Sequence, residues 1–174
     1  SITPMQLVRA VCACVNGGTL YKPYLVDKII DSYSNDIVYE HKPEALRKVI
    51  SEDASKKMRD ALESVVTDGG GKNAYIDGYR IGCKTGTAQK AVNGSYVDGG
   101  YILSFIGIAP IDDPKIVLYV AMDNPKNCVQ YGGTTVAPIA RKMLVDILPS
   151  MNVKKVSSQR QKAYTFMDTK TLKV

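Results

Sequence analysis

Apolar positions at Leu7, Val8, Val11 and Val15 recur with helical spacing, behind a Thr3-Pro4 start and ahead of Asn16-Gly17-Gly18. Threonine before proline is a helix-entry signal and glycine an exit signal, so a helix is predicted over residues 4–16. Leu20 to Ile30 and Ile37 to Tyr39 are rich in β-branched and aromatic residues and flank the turn-forming run Asp31-Ser32-Tyr33-Ser34-Asn35-Asp36. They read as a hairpin. Ser51 is placed to cap a second helix, with Glu52 and Asp53 in its first turn and Ala54, Met58, Ala61, Leu62, Val65 and Val66 on one apolar face. That helix should stop at Asp68-Gly69-Gly70-Gly71, whose three glycines could fold against a cleft or form a flexible link.

Three strand-like runs follow, at Tyr79 to Gln89, Tyr101 to Ala109 and Ile116 to Met122. Asp112-Asp113-Pro114-Lys115 is suited to a tight turn, which makes the last two antiparallel neighbours. After Tyr131-Gly132-Gly133, the spacing of Val136, Ile139, Ala140, Met143, Leu144 and Ile147 predicts a helix from about Thr134 to Leu148, ended by Pro149. The fold class expected is α/β (α+β), an antiparallel sheet flanked by helices, with a domain over 1–149 and a basic tail or linker over 150–174. There is no internal repeat.

Composition changes this picture little. With 174 residues, 45% hydrophobic and 23% charged, the chain can bury a core. No apolar run approaches the length that spans a bilayer, and neither an initiator Met nor a signal peptide precedes Ser1, so the natural start is expected upstream. The formal charge of +6 is concentrated: Lys154, Lys155, Arg160, Lys162, Lys170 and Lys173 stand against Asp168 alone, leaving the remainder nearly neutral. A solvated extension explains such a tail, and no nucleic-acid site is expected. Cys12, Cys14, Cys83 and Cys128 form no C-x-x-C pair and His41 is the single histidine, so a closed structural zinc site is not signalled. Cys12 and Cys14 face different directions on a helix and read as core or boundary residues.

The run Lys84-Thr85-Gly86-Thr87-Ala88-Gln89 carries the candidate chemistry. On a sheet edge, Lys84 offers a cation and Gly86 keeps the wall low. Thr87 adds a hydroxyl and an N–H, so that an extended peptide could pair with the strand and present its carboxylate to Lys84 and Thr87. Strict alternation puts Lys84 and Thr87 on opposite faces, so a twist or bulge is expected near Gly86.

The surroundings extend that reading. Ser1-Ile2-Thr3-Pro4-Met5-Gln6-Leu7, Asn16-Gly17-Gly18, Tyr21-Lys22-Pro23, Val65-Val66, Gly71-Lys72-Asn73-Ala74, Lys84 to Gln89, Ser104-Phe105 with Ala109-Pro110, and Gly132-Gly133 with Ala137-Pro138 stand in order. Together they resemble the penicillin-binding transpeptidases, most closely the monofunctional class B enzymes of division and sporulation. The resemblance covers roughly residues 1–149 and implies the penicillin-binding and serine β-lactamase-like fold, in part. In that family an S-x-x-K serine is acylated by the D-Ala-D-Ala end of a peptidoglycan stem peptide, S-x-N supports proton transfer and K-T-G forms the opposite wall. The acyl group passes to an amine of a neighbouring stem, and β-lactams trap the serine.

By this resemblance the catalytic residues would be Lys84, for electrostatic help, and Thr87, whose N–H would form half of the oxyanion hole. Thr85, Gly86, Thr87 and Gln89 would bind substrate. The expected partners are stem peptides, β-lactams and an upstream half of the same domain. No cofactor is required, and the location is the outer face of the cell membrane, through an upstream anchor.

Departures carry equal weight. No serine has a lysine three positions later, so the nucleophile is absent from these residues. Ser150-Met151-Asn152 and Tyr33-Ser34-Asn35 match S-x-N patterns only by chance placement. The chain thus resembles the C-terminal part of a transpeptidase domain, beginning after its second motif and inactive by itself. Cys83 occupies a position the family usually keeps small; with Cys128 it could hold zinc or form a disulfide, or the two could be unrelated buried thiols. The alternatives in function are a β-lactamase or D,D-carboxypeptidase relative, and a non-catalytic binding or structural module.

Overall fold

The structure, a computed structural model, describes residues 2–156. The chain divides into two compact units, the first running to Ser55 and the second beginning at Lys56. Among the described residues no helix is long and apolar enough to cross a membrane.

The first unit opens with α1, Pro4–Val15, as the apolar spacing predicts. Its entry is a reciprocal capping box: the Thr3 hydroxyl accepts from the Gln6 N–H at 3.2 Å, and the Gln6 side-chain oxygen accepts from the Thr3 N–H at 2.8 Å. Asn16 ends it, its Oδ1 accepting from the N–H groups of Gly18 and Thr19 across a turn in which both glycines have positive φ.

The single strand expected over Leu20 to Ile30 is instead two, β1 at Thr19–Tyr21 and β2 at Lys28–Ile30. Pro23 has no N–H for a ladder, which interrupts the run. β2 pairs antiparallel with β3, Ile37–Glu40, so the hairpin stands. In its turn the Asp31 carboxylate accepts from the N–H groups of Tyr33 and Ser34 at 2.8 and 3.0 Å, bonds that hold its pKa below the ordinary value. β1 pairs with β4, Ala45–Lys48, a strand that the sequence pattern did not reveal: all four of its residues are exposed and show no apolar alternation.

α2, Glu52–Thr67, starts where Ser51 caps it, the Ser51 hydroxyl accepting from the Ala54 N–H at 3.1 Å. It stops where the glycines begin, with the Gly71 N–H donating to the Val65 carbonyl at 2.9 Å. In the second unit a 3-10 turn, Lys72–Ala74, leads to a tight bend around Gly78. Arg80 then forks onto Glu63, its Nε 2.7 Å from one carboxylate oxygen and a terminal nitrogen on the other, with both side chains largely buried.

The sheet has the order β5-β6-β7 and is antiparallel throughout: β5 is Gly82–Val92, β6 is Ser95–Ala109 and β7 is Ile116–Asp123. β5 therefore begins three residues later than Tyr79, which belongs to the bend. β5 and β6 also run further toward each other than the apolar pattern indicates, closed by Asn93-Gly94 with φ of 52° and 82°. Positive φ at both central residues suits a right-twisted hairpin, and Asn-Gly is the sequence that supplies it. The turn between β6 and β7 lies where expected, Ala109 facing Ile116.

The last helix is two. α3, Gly132–Thr135, opens on the glycines, and α4, Ala137–Ser150, follows Val136. Pro138 cannot donate to the preceding turn, so the helix restarts there. Pro149 lies inside the final turn of α4 rather than beyond it, where its missing N–H removes only one bond. Leu103 and Phe105 of β6 pack with Val136, Ala137, Ala140, Leu144 and Leu148 to form the centre of the core, each at most 0% exposed. Burying the Leu, Phe and Val side chains among these contributes about 1.5–3 kcal/mol each. Of the tail expected from residue 150, Val153 packs on this core and the Val156 N–H donates to the Gly78 carbonyl at 2.8 Å. Most of the basic cluster lies outside the described residues.

Candidate functional site

β5 is the outermost strand of its sheet, and Lys84 to Gln89 lie along it. Opposite them on β6 are Ile106, Phe105, Ser104, Leu103, Ile102 and Tyr101, in unbroken register. The irregularity expected near Gly86 is therefore elsewhere: the register shifts between Gln89 and Ala91. Lys84 and Thr87 are nonetheless both exposed. Lys84 bends back to its own strand, its Nζ donating to the Thr85 carbonyl at 2.5 Å. Gln89 reaches across the hairpin, its Nε2 3.3 Å from the Val97 carbonyl. Beyond it Lys90 pairs with Asp123 at 2.6 Å, tying the base of the hairpin to the end of β7.

Behind the rim, α3 sits directly on the strands. A Cβ on Gly132 would lie 2.6 Å from the Gly86 carbonyl oxygen and 2.7 Å from that of Ser104, so only glycine permits this approach. The approach lets the Gly132 N–H donate to the Thr87 hydroxyl oxygen at 3.3 Å. With its oxygen accepting that bond, the Thr87 hydroxyl keeps its own hydrogen for a ligand.

The three consecutive glycines are packed in. Gly70 lies under the Tyr131 hydroxyl, and a Cβ on Gly71 would be 2.3 Å from the Cys83 sulfur. Asn73, just beyond them, donates from Nδ2 to the Gly133 carbonyl at 2.8 Å. Asn73 was not among the expected site residues, although Gly71-Lys72-Asn73-Ala74 is part of the family pattern.

Cys83 is 0% exposed and burial pushes its thiol up to about 12, with nearby Lys84 acting the other way. Cys128 lies in the loop after β7, its sulfur 3.8 Å from the Gln130 side-chain nitrogen. Both thiols are free, and the described residues contain no group of three or more His, Cys, Asp or Glu that could hold a metal ion. Of the two S-x-N matches, Ser150 closes α4 with its hydroxyl on the Ile147 carbonyl, and Ser34 sits in the β2–β3 turn.

Residues 1–145 match the family described as penicillin binding protein transpeptidase domain. The whole chain is 52% identical to stage V sporulation protein D of Bacillus subtilis, and 85% of it is 31% identical to a peptidoglycan D,D-transpeptidase FtsI homolog of Mesostigma viride. It spans about a quarter of these relatives, 27% of each. Among solved structures, the apo transpeptidase domain of Burkholderia pseudomallei penicillin-binding protein 3 superposes with a TM-score of 0.73 at 34% identity, over 88% of this chain and 44% of that one. Penicillin-binding protein 3 of Mycobacterium tuberculosis, solved with ampicillin, gives 0.73 at 25% identity over 90% of this chain and 36% of that one. The antiparallel sheet with its helices is the fold of these domains, and the chain belongs to the penicillin-binding protein transpeptidase family.

Proposed function

We propose that this chain forms the K-T-G wall of a class B peptidoglycan D,D-transpeptidase. The observation that carries the reading is the exposed rim of β5, where a lysine and a hydroxyl with an available hydrogen stand three residues apart. Lys84 would stabilise negative charge in the cleft. The Thr87 hydroxyl would bind the carboxylate of the D-Ala-D-Ala end or of a β-lactam, and its N–H would face the developing oxyanion. Thr85 and Gly86 would line the strand that the peptide follows, and Gln89 the acceptor side. A serine outside residues 1–174 attacks the penultimate D-Ala carbonyl, the peptide C–N bond breaks and terminal D-Ala leaves with a proton. An amine of a neighbouring stem then displaces the serine from the ester, closing the crosslink.

The M. tuberculosis relative solved with ampicillin supports β-lactam binding at such a site. The 52% identity to a stage V sporulation protein over all 174 residues favours a sporulation enzyme over a division enzyme. Action on stem peptides would put the intact protein on the outer face of the cell membrane, held by an anchor outside these residues.

Fluorescent penicillin tests the reading. The full-length protein should be labelled covalently and the 174-residue chain alone should not; stable labelling of the chain alone would contradict a nucleophile lying elsewhere.

A further inference from the structure

We propose that Asn73 is a positioning residue for the Thr87 hydroxyl, acting through the first turn of α3, an inference that rests on the function proposed above. Thr87 donates most strongly to a carboxylate while its oxygen accepts from the Gly132 N–H, a bond of 3.3 Å. That N–H is on a four-residue helix with no side-chain cap of its own. Its place is set from outside. On one side Gly132 abuts the backbone of Gly86 and Ser104. On the other, Gly133 abuts the Gly70 carbonyl, which a Cβ on Gly133 would approach to 2.1 Å. Contact alone resists compression but not withdrawal.

The directional bond that ties this turn to the glycine loop is the one from Asn73 Nδ2 to the Gly133 carbonyl, at 2.8 Å. The loop is in turn anchored to β5, because Gly71 packs against the Cys83 sulfur next to Lys84. Asn73, Gly133, Gly132 and Thr87 thus form a relay with both ends referred to the same strand. A hydroxyl that already accepts one hydrogen bond donates a stronger one, so losing the Gly132 contact weakens Thr87 toward an anion specifically. A neutral ligand gains less from that donor and loses less with it.

Acylation of the full-length protein by a penicillin carrying a free carboxylate, compared with its methyl ester, reads this out. The unsubstituted protein should prefer the acid. Asn73→Ala should lower the acid rate by about fivefold to tenfold, less than the loss of a whole hydrogen bond to a charged group because the bond is weakened and not removed, and leave the ester rate nearly unchanged. Asn73→Gln, which keeps a donor, should restore part of the preference. Thr87→Val should reduce the preference to what the Lys84 cation alone supports, and adding Asn73→Ala to it should lower the acid rate no further, since both act on one contact. Equal losses for acid and ester, or additive losses in the double variant, would show Asn73 to be only structural and overturn the inference. A preference retained in full by Asn73→Ala overturns it as well, with the site reading intact. An unsubstituted protein that shows no acid preference overturns the site reading, and the inference falls with it.

Discussion

Cys83, next to a candidate catalytic lysine, fills with its sulfur the space left by Gly71, whose Cβ would sit 2.3 Å away. Gly71→Ala should therefore cost about 1–3 kcal/mol through overpacking. Cys83→Ala should recover part of that cost when combined with it, in thermal unfolding of the four proteins of the cycle; independent effects would show that the two do not share the space. The buried thiol also carries a pH dependence. Its folded pKa stands near 12 against an ordinary 9.0, so the fold favours the protonated form. That contribution is complete below pH 9.0 and is lost as pH rises toward 12. The denaturant midpoint of the unsubstituted protein should fall more steeply over this window than that of Cys83→Ala, and parallel curves would contradict the assignment. None of this is legible from spacing, because Gly71 and Cys83 are twelve positions apart and their contact is tertiary.

Among the elements, those with a strong local signal were readable. Thr3-Pro4 and Ser51 announce α1 and α2, and the apolar runs of β6 and β7 fall where alternation and turn chemistry put them. Elements governed by one imino acid or by exposure were not: Pro23 splits a run that looks continuous, Pro138 restarts a helix, and exposed β4 has no periodic signature. The Asn93-Gly94 turn carried a usable signal that extends β5 and β6 by several residues.

α3 is the element whose placement matters most for the site, and glycine makes it possible. Gly132→Ala puts a methyl group 2.6 Å from the Gly86 carbonyl oxygen, so α3 must lift from β5 and release Thr87. Acylation by a free-acid penicillin should fall about tenfold or more, because a hydrogen bond and its alignment are lost together. An unchanged rate would mean that the strand positions Thr87 unaided.

For the molecule as a whole, the K-T-G rim was legible because it is local in sequence, and the family pattern around it gave the fold. The brace of Asn73, Gly132 and Gly133 was not legible, because hydrogen bonds spanning 60 and 45 positions assemble it. In the function proposed, the rim is half of an acyl-transfer site, with a cation and a hydroxyl that accepts one hydrogen bond, while residues 1–174 hold no serine of the S-x-x-K pattern. Lys84 is the group proposed to stabilise charge during acylation. The second-order rate of acylation of the full-length protein by benzylpenicillin, measured with and without Lys84→Ala, tests this most directly. Loss of a preorganised electrostatic group predicts a fall of about a hundredfold to a thousandfold in a protein that still folds. An unchanged rate would contradict the assignment of this strand to the reacting cleft.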